Sequence, residues 1–96
     1  MDEHLYVVVY DISDPKRWRA VFRLMHGYGE WVQLSVFQCR LSRKRHAELL
    51  ATLDQIIANN HDHVVIIDVG PASKVDPRVV SLGKSFKAVQ REPVIV

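Results

Sequence analysis

One carboxylate and two clusters of cations are the residues of this chain with chemistry to offer. Asp11 ends an unbroken apolar run, Leu5-Tyr6-Val7-Val8-Val9-Tyr10, and is followed by Ile12-Ser13-Asp14-Pro15. An unpaired ionised carboxylate is costly to bury, so Asp11 has to meet a cation, a metal ion or backbone amides, or emerge into a polar cleft. One carboxylate alone is a poor metal site. Mg²⁺, however, is usually held by one or two carboxylates, with waters and phosphate oxygens completing its octahedron, and two copies of Asp11 meeting near a dimer axis would supply that pair. The plainer alternative has Asp11 accepting hydrogen bonds from the backbone or Ser13 inside its turn.

The cations are Lys16, Arg17 and Arg19 at the start of a first helix and Arg43, Lys44 and Arg45 at the start of a second. The positive end of a helix macrodipole disfavours each cation by about 0.3–1 kcal/mol, so something else has to favour them there. Free amides at a helix start beside three cations make a good phosphate site, although long exposed side chains also simply solvate such ends. Charge is segregated along the chain: residues 15–47 carry eight basic residues against one acid, Glu30, and the remainder five against ten, for a net +2. Such segregation points to a basic face for a polyanion. His61-Asp62-His63 invites a metal reading, but without a cysteine pair or a third nearby histidine a solvated turn is the better one. Trp18 and Phe22, at helical spacing, read as core before they read as base-stacking platforms. Neither a glycine-rich phosphate loop, a Ser-His-Asp order nor zinc spacing is present.

The elements that must position these residues follow from periodicity. Residues 4–10 and 64–69 are apolar at nearly every position, as central strands buried on both faces are. Trp31 to Cys39 alternates, with Val32, Leu34 and Val36 on one side and Gln33 and Ser35 on the other, which predicts one half-exposed strand or a bent pair. Asp14 can cap the first helix with Pro15 at its first position; Trp18, Val21, Phe22 and Met25 form its apolar stripe, and Gly27-Tyr28-Gly29 stops it. Ser42 can cap the second, with the stripe Leu49, Leu50, Leu53, Ile56 and Ile57 and an end near Asn59-Asn60. Gly70 to Ser73 reads as a turn, Asp76-Pro77 as the cap of a short helical turn ending at Gly83, and Phe86–Val89 and Val94–Val96 as short strands. The expectation is an α+β sandwich of βαββαβ order, residues 5–10 and 64–69 adjacent and central, both helices on one face. The other face, apolar and uncovered, predicts a homodimer.

At 96 residues, 48% hydrophobic and 25% charged, the chain forms one domain whose modest core makes self-association useful. Cys39 is its only cysteine, which rules out an intrachain disulfide and suits a reducing compartment. The acidic start Met1-Asp2-Glu3-His4 does not read as a secretion signal, and no apolar stretch is long enough to span a bilayer. A soluble cytoplasmic protein, with no membrane partner, is expected.

Tyr6 to Asp14 (YVVVYDISD), Gly27-Tyr28-Gly29, Val32 to Cys39 (VQLSVFQC), Leu82-Gly83 and the terminal Val94-Ile95-Val96 resemble the Cas-two family of small CRISPR-associated endoribonucleases. The resemblance implies a ferredoxin-like homodimer in which residues from about 84 to 96 form a dimerisation segment whose last strand joins the partner's sheet. It also implies Asp11 of both chains around a shared Mg²⁺ as the catalytic and metal-holding pair, with Tyr10, Ser13, Ser35 and Phe37 as further candidates in the matching segments. The partners it implies are the CRISPR integrase Cas-one and duplex prespacer DNA, with single-stranded RNA as another substrate. A toxin-like messenger-RNA endoribonuclease on the same fold, without an integrase, is the alternative. Trp31, often basic in relatives, and Leu34, often tyrosine, depart from the pattern.

Overall fold

The computed structural model describes residues 2–78, 80, 82 and 83. Its elements run β1 (His4–Asp11), α1 (Pro15–His26), β2 (Glu30–Gln33), β3 (Val36–Leu41), α2 (Arg43–Ile56) and β4 (His63–Pro71). The four strands form one antiparallel sheet in the order β2-β3-β1-β4, the ferredoxin-like βαββαβ arrangement. Tyr6, Val8 and Tyr10 of β1 and Phe37, Cys39 and Leu41 of β3 meet Val21 and Met25 of α1 and Leu49 and Leu53 of α2 in a single core. Both helices therefore cover one face of the sheet. On the other face Val9, Val65, Ile67 and Val69 stay 38–50% exposed.

Both helix starts form as their sequences dictate. The Asp14 carboxylate accepts from the Arg17 amide at 2.9 Å with Pro15 in the first turn, and the Ser42 hydroxyl accepts from the Arg45 amide at 3.2 Å. Neither first turn contains an acid.

Several expectations are corrected. The segment Trp31–Cys39, expected as one strand or a bent pair, is the pair: Leu34 and Ser35 form its two-residue hairpin loop, and Leu34 takes φ +42° at 74% exposure. Two-residue hairpin loops demand positive φ, and reversing the chain there breaks the alternation, so that Phe37, Cys39 and Leu41 face the core instead of Val32, Leu34 and Val36 acting as one row. The strand at 64–69 is adjacent to β1 but lies at the edge of the described sheet, with β1 and β3 in the centre. It also continues through Gly70 and Pro71, since glycine accepts φ +124° and an edge strand tolerates proline. Helix α2 ends at Ile56, with Ile57 extended, before Asn59-Asn60 is reached, and Leu50 is 44% exposed, outside the buried stripe. Gly27 closes α1 at φ −81° and so uses no left-handed cap. Gly29 is the glycine that space requires, since a Cβ there would overlap Cys39 Sγ and the Gln38 carbonyl oxygen of β3. The turn after β4 covers 72–74, and 75–78 are irregular rather than helical. The strands expected at 86–89 and 94–96, and the dimerisation segment from about 84, lie outside the described residues.

Candidate functional site

Alternation along β1 decides where Asp11 points. Tyr10 faces the helices, so Asp11 leaves the sheet on the uncovered side and is exposed, with Ile12, Ser13 and Asp14 leading on into α1. Its register partner across the β1–β4 pairing is His63, also exposed. The turn behind Asp11 is tied down from two directions: the Tyr10 amide donates to the Ser35 carbonyl at 3.1 Å, and the Trp18 amide to the Asp14 carbonyl at 2.9 Å. Ser13, in that turn, is exposed.

Tyr10, Ser35 and Phe37 have structural surroundings instead. Phe37 is fully buried in the core, with the Tyr10 ring centroid 6.3 Å away. Burial pushes the Tyr10 hydroxyl up to about 12. The Ser35 hydroxyl accepts from Trp18 Nε1 at 2.9 Å, fastening α1 to the β2–β3 loop. Cys39 is equally enclosed, its thiol pushed up to about 12 by burial, so it is an inert core residue.

The six cations do not converge on Asp11. Helix α1 starts at the Asp11 end of β1, whereas Leu41, just before α2, pairs with His4 at the other end. The two helix starts are separated along β1 by roughly 23 Å at about 3.3 Å per residue. Lys16 and Arg19 are exposed beside the acidic turn. Arg17 is committed elsewhere: its Nε donates to Asp62 Oδ2 at 2.7 Å and its second guanidinium nitrogen to Oδ1 at 3.3 Å. Asp62, whose side chain is completely covered, also accepts from the Ala58 amide at 2.8 Å. The Arg17 hydrogen bond, with the Ala58 amide second, holds the Asp62 carboxyl below its ordinary range. At the far end Arg43 and Lys44 are exposed, while Arg45 lies 4.1 Å from the Tyr28 ring centroid and donates to the Gly27 carbonyl at 3.1 Å.

That far end also holds a cavity of about 610 Å³ bordered by His4, Tyr6, Arg43, His46 and Asp68. There His4 Nδ1 meets Asp68 at 2.8 Å, holding the Asp68 carboxyl down, and His46 stacks on Tyr6 at 4.2 Å. The cavity is remote from Asp11.

Among the described residues no three His, Cys, Asp or Glu side chains gather as a ligand set for a metal ion. One chain thus brings the Asp11 carboxylate, with His63 opposite it, and the carboxylate fits Mg²⁺ in its usual water-rich mode, completed by phosphate oxygens and a second carboxylate. Sequence reasoning missed the Arg17–Asp62 pair, whose members stand 45 residues apart. It also missed the opposition of Asp11 and His63, which only the strand register reveals. The HDH motif was visible, but its split into an inward Asp62 and outward His61 and His63 was not.

The chain as a whole, the Asp11 turn included, is similar to known proteins. The family profile described as CRISPR associated protein Cas2 matches residues 4–76. A protein named CRISPR-associated endoribonuclease Cas2 1 from Rhodospirillum rubrum is 54% identical over 94 residues, covering 98% of this chain and 92% of that protein. CRISPR-associated endoribonuclease Cas2 from Geobacter sulfurreducens is 52% identical, covering 98% and 99%. Among solved structures, Streptococcus pyogenes Cas2 superposes with a TM-score of 0.73 at 32% identity over 82% of this chain and 99% of that one. A hypothetical protein from Thermus thermophilus gives the same score and identity over 92% and 99%. A family match over residues 4–76 and identities above 50% over nearly the whole chain leave one assignment: the chain belongs to the CRISPR-associated Cas2 family.

Proposed function

We propose that the protein works in CRISPR spacer acquisition as a homodimer that bridges the integrase Cas-one on duplex prespacer DNA, and that its Asp11 turns carry Mg²⁺-dependent phosphodiester cleavage of RNA or DNA. The observation that supports this most is the exposed Asp11 carboxylate, on the uncovered apolar face, next to a capped helix start bearing Lys16 and Arg19. The names of the two relatives supply the endoribonuclease part of the reading.

Each residue has a stated job. Asp11 of each subunit would hold the ion, which would supply neutralisation of phosphate charge and a lowered pKa of water. Asp14 and Pro15 fix the direction of the turn, so the carboxylate is presented without reorganisation. Lys16 and Arg19 draw phosphates to the same end, and Arg43 and Lys44 extend the contact to the opposite end of the subunit. Arg17 serves by position, anchoring the start of α1 to Asp62.

The test pairs a nuclease assay with a spacer-acquisition assay on Asp11→Asn. Loss of an ion-holding carboxylate should lower cleavage at least about 100-fold, a few kcal/mol of barrier, with the fold unchanged. Acquisition that persists in this variant establishes the bridging role as independent of cleavage. Wild-type cleavage in Asp11→Asn would remove Asp11 from the chemistry.

A further inference from the structure

We propose that His63 is a second donor in the Asp11 site, so that each subunit offers a divalent first-row transition-metal ion one carboxylate oxygen and one imidazole nitrogen. This rests on the reading of Asp11 as an ion-holding carboxylate and extends it to a residue on another strand. In the β1–β4 ladder Asp11 and His63 are direct register partners. Opposed residues of an antiparallel pair project from the same face with Cβ atoms about 4.5–5.5 Å apart. That separation lets a carboxylate oxygen and a ring nitrogen share one ion, since metal bonds to such donors are about 2.0–2.2 Å.

The side of the sheet is also right. Tyr10 and Val64, the neighbouring partners, pack toward the helices, so Asp11 and His63 both leave on the uncovered face. Both are exposed, and no hydrogen bond or ion pair ties either side chain to another described residue. Next to His63, Asp62 is turned inward and clamped by Arg17 and the Ala58 amide, which steadies the start of β4 and withdraws that carboxylate from competition. His61 sits outside the ladder, where strand pairing does not position it.

Donor chemistry then widens the range of ions beyond the one the carboxylates alone favour. Mg²⁺ prefers oxygen ligands, whereas imidazole suits zinc, nickel and their neighbours. Two subunits sharing one ion would contribute two nitrogens and two oxygens, the four ligands a tetrahedral ion takes.

The test is a titration of the full chain with Co²⁺, whose visible absorption reports nitrogen ligation and coordination number, alongside Asp11→Asn, His63→Gln and the control His61→Gln. We expect one ion per two chains, affinity unchanged in His61→Gln, at least about tenfold weaker in His63→Gln, and lost in Asp11→Asn. Paramagnetic broadening of the His63 ring resonances ahead of those of His61 is a second expected result and needs no variant. Wild-type affinity and spectrum in His63→Gln, or equal losses in both histidine variants, overturn the proposal, and loss in Asp11→Asn alone would leave the reading of Asp11 standing. No Co²⁺ uptake by the wild type also overturns it. Mg²⁺-supported, Asp11-dependent cleavage in the same preparation then shows that the Asp11 reading survives by itself, and its absence shows that both fall.

Discussion

Arg17 shows how a residue chosen for its charge can be held for its geometry. Its guanidinium satisfies a carboxylate that has no exposure of its own, and removing one partner of a covered pair leaves the other charged and unpaired. Arg17→Met keeps the stem and deletes the head, so Tm near neutral pH should fall by several degrees. The sign of its pH dependence follows from Asp62. Its folded-state pKa is depressed, so its stabilisation is fully present above the unfolded value of about 3.9 and is lost as pH falls through the folded value. Melting curves of wild type and Arg17→Met should therefore be furthest apart above about pH 5 and converge as the solution is acidified below about pH 4. A gap that ignores pH would mean Arg17 contributes packing alone. Nothing in the sequence marked this pair, because Asp14, a nearer acid, is the partner that local spacing suggests; the ionic contact to Asp14 is 3.9 Å, against 2.7 Å to Asp62. Asp11 was legible for the opposite reason: an acid closing an apolar run is a local fact, and its exposure follows from alternation once Tyr10 is known to face inward.

At the scale of elements, what was readable is what neighbouring residues decide. The caps at Asp14 and Ser42 and the stripe Trp18-Val21-Phe22-Met25 were all in view. The β2–β3 hairpin was in view only as one of two readings, because its loop lacks the Asn-Gly or Gly-containing pair that signals a two-residue turn and places leucine at a positive φ. That choice carries a cost. A non-glycine residue in the left-handed region is disfavoured by about 1–2 kcal/mol, and at 74% exposure the Leu34 side chain recovers little through packing. Leu34→Gly removes the strain but adds about 0.4–1 kcal/mol of chain entropy to the unfolded state, so a net gain of roughly 0.5 kcal/mol is expected. Denaturant titration should show a higher midpoint at unchanged slope. A lower midpoint would mean that the leucine makes contacts the isolated subunit does not have.

For the whole molecule, the sequence made the two-sided apolar character of residues 5–10 and 64–69 plain, yet their rank in the sheet depended on where the hairpin folded back. With β2 and β3 on one flank of β1, β4 is left at the described edge and Val9, Val65, Ile67 and Val69 form an uncovered apolar patch. Contiguous exposure of this kind is the mark of an interface. If the interface joins two copies, each residue of the patch meets its symmetry mate's surface, and a charge placed there is introduced twice. Ile67→Glu, at a site 50% exposed in the subunit, should therefore leave the monomer folded and sediment as a single chain where the wild type sediments as two. Nucleic-acid binding supplies an independent reading of the same event. A dimer presents Lys16, Arg19, Arg43 and Lys44 twice, and the slope of log K against log salt is about −0.9 for each phosphate neutralised on duplex DNA, so dissociation should cut the slope to about half. Ile67→Glu that sediments as a monomer yet keeps the full slope would place the polyanion on one subunit, and an intact dimer would move the interface off this face.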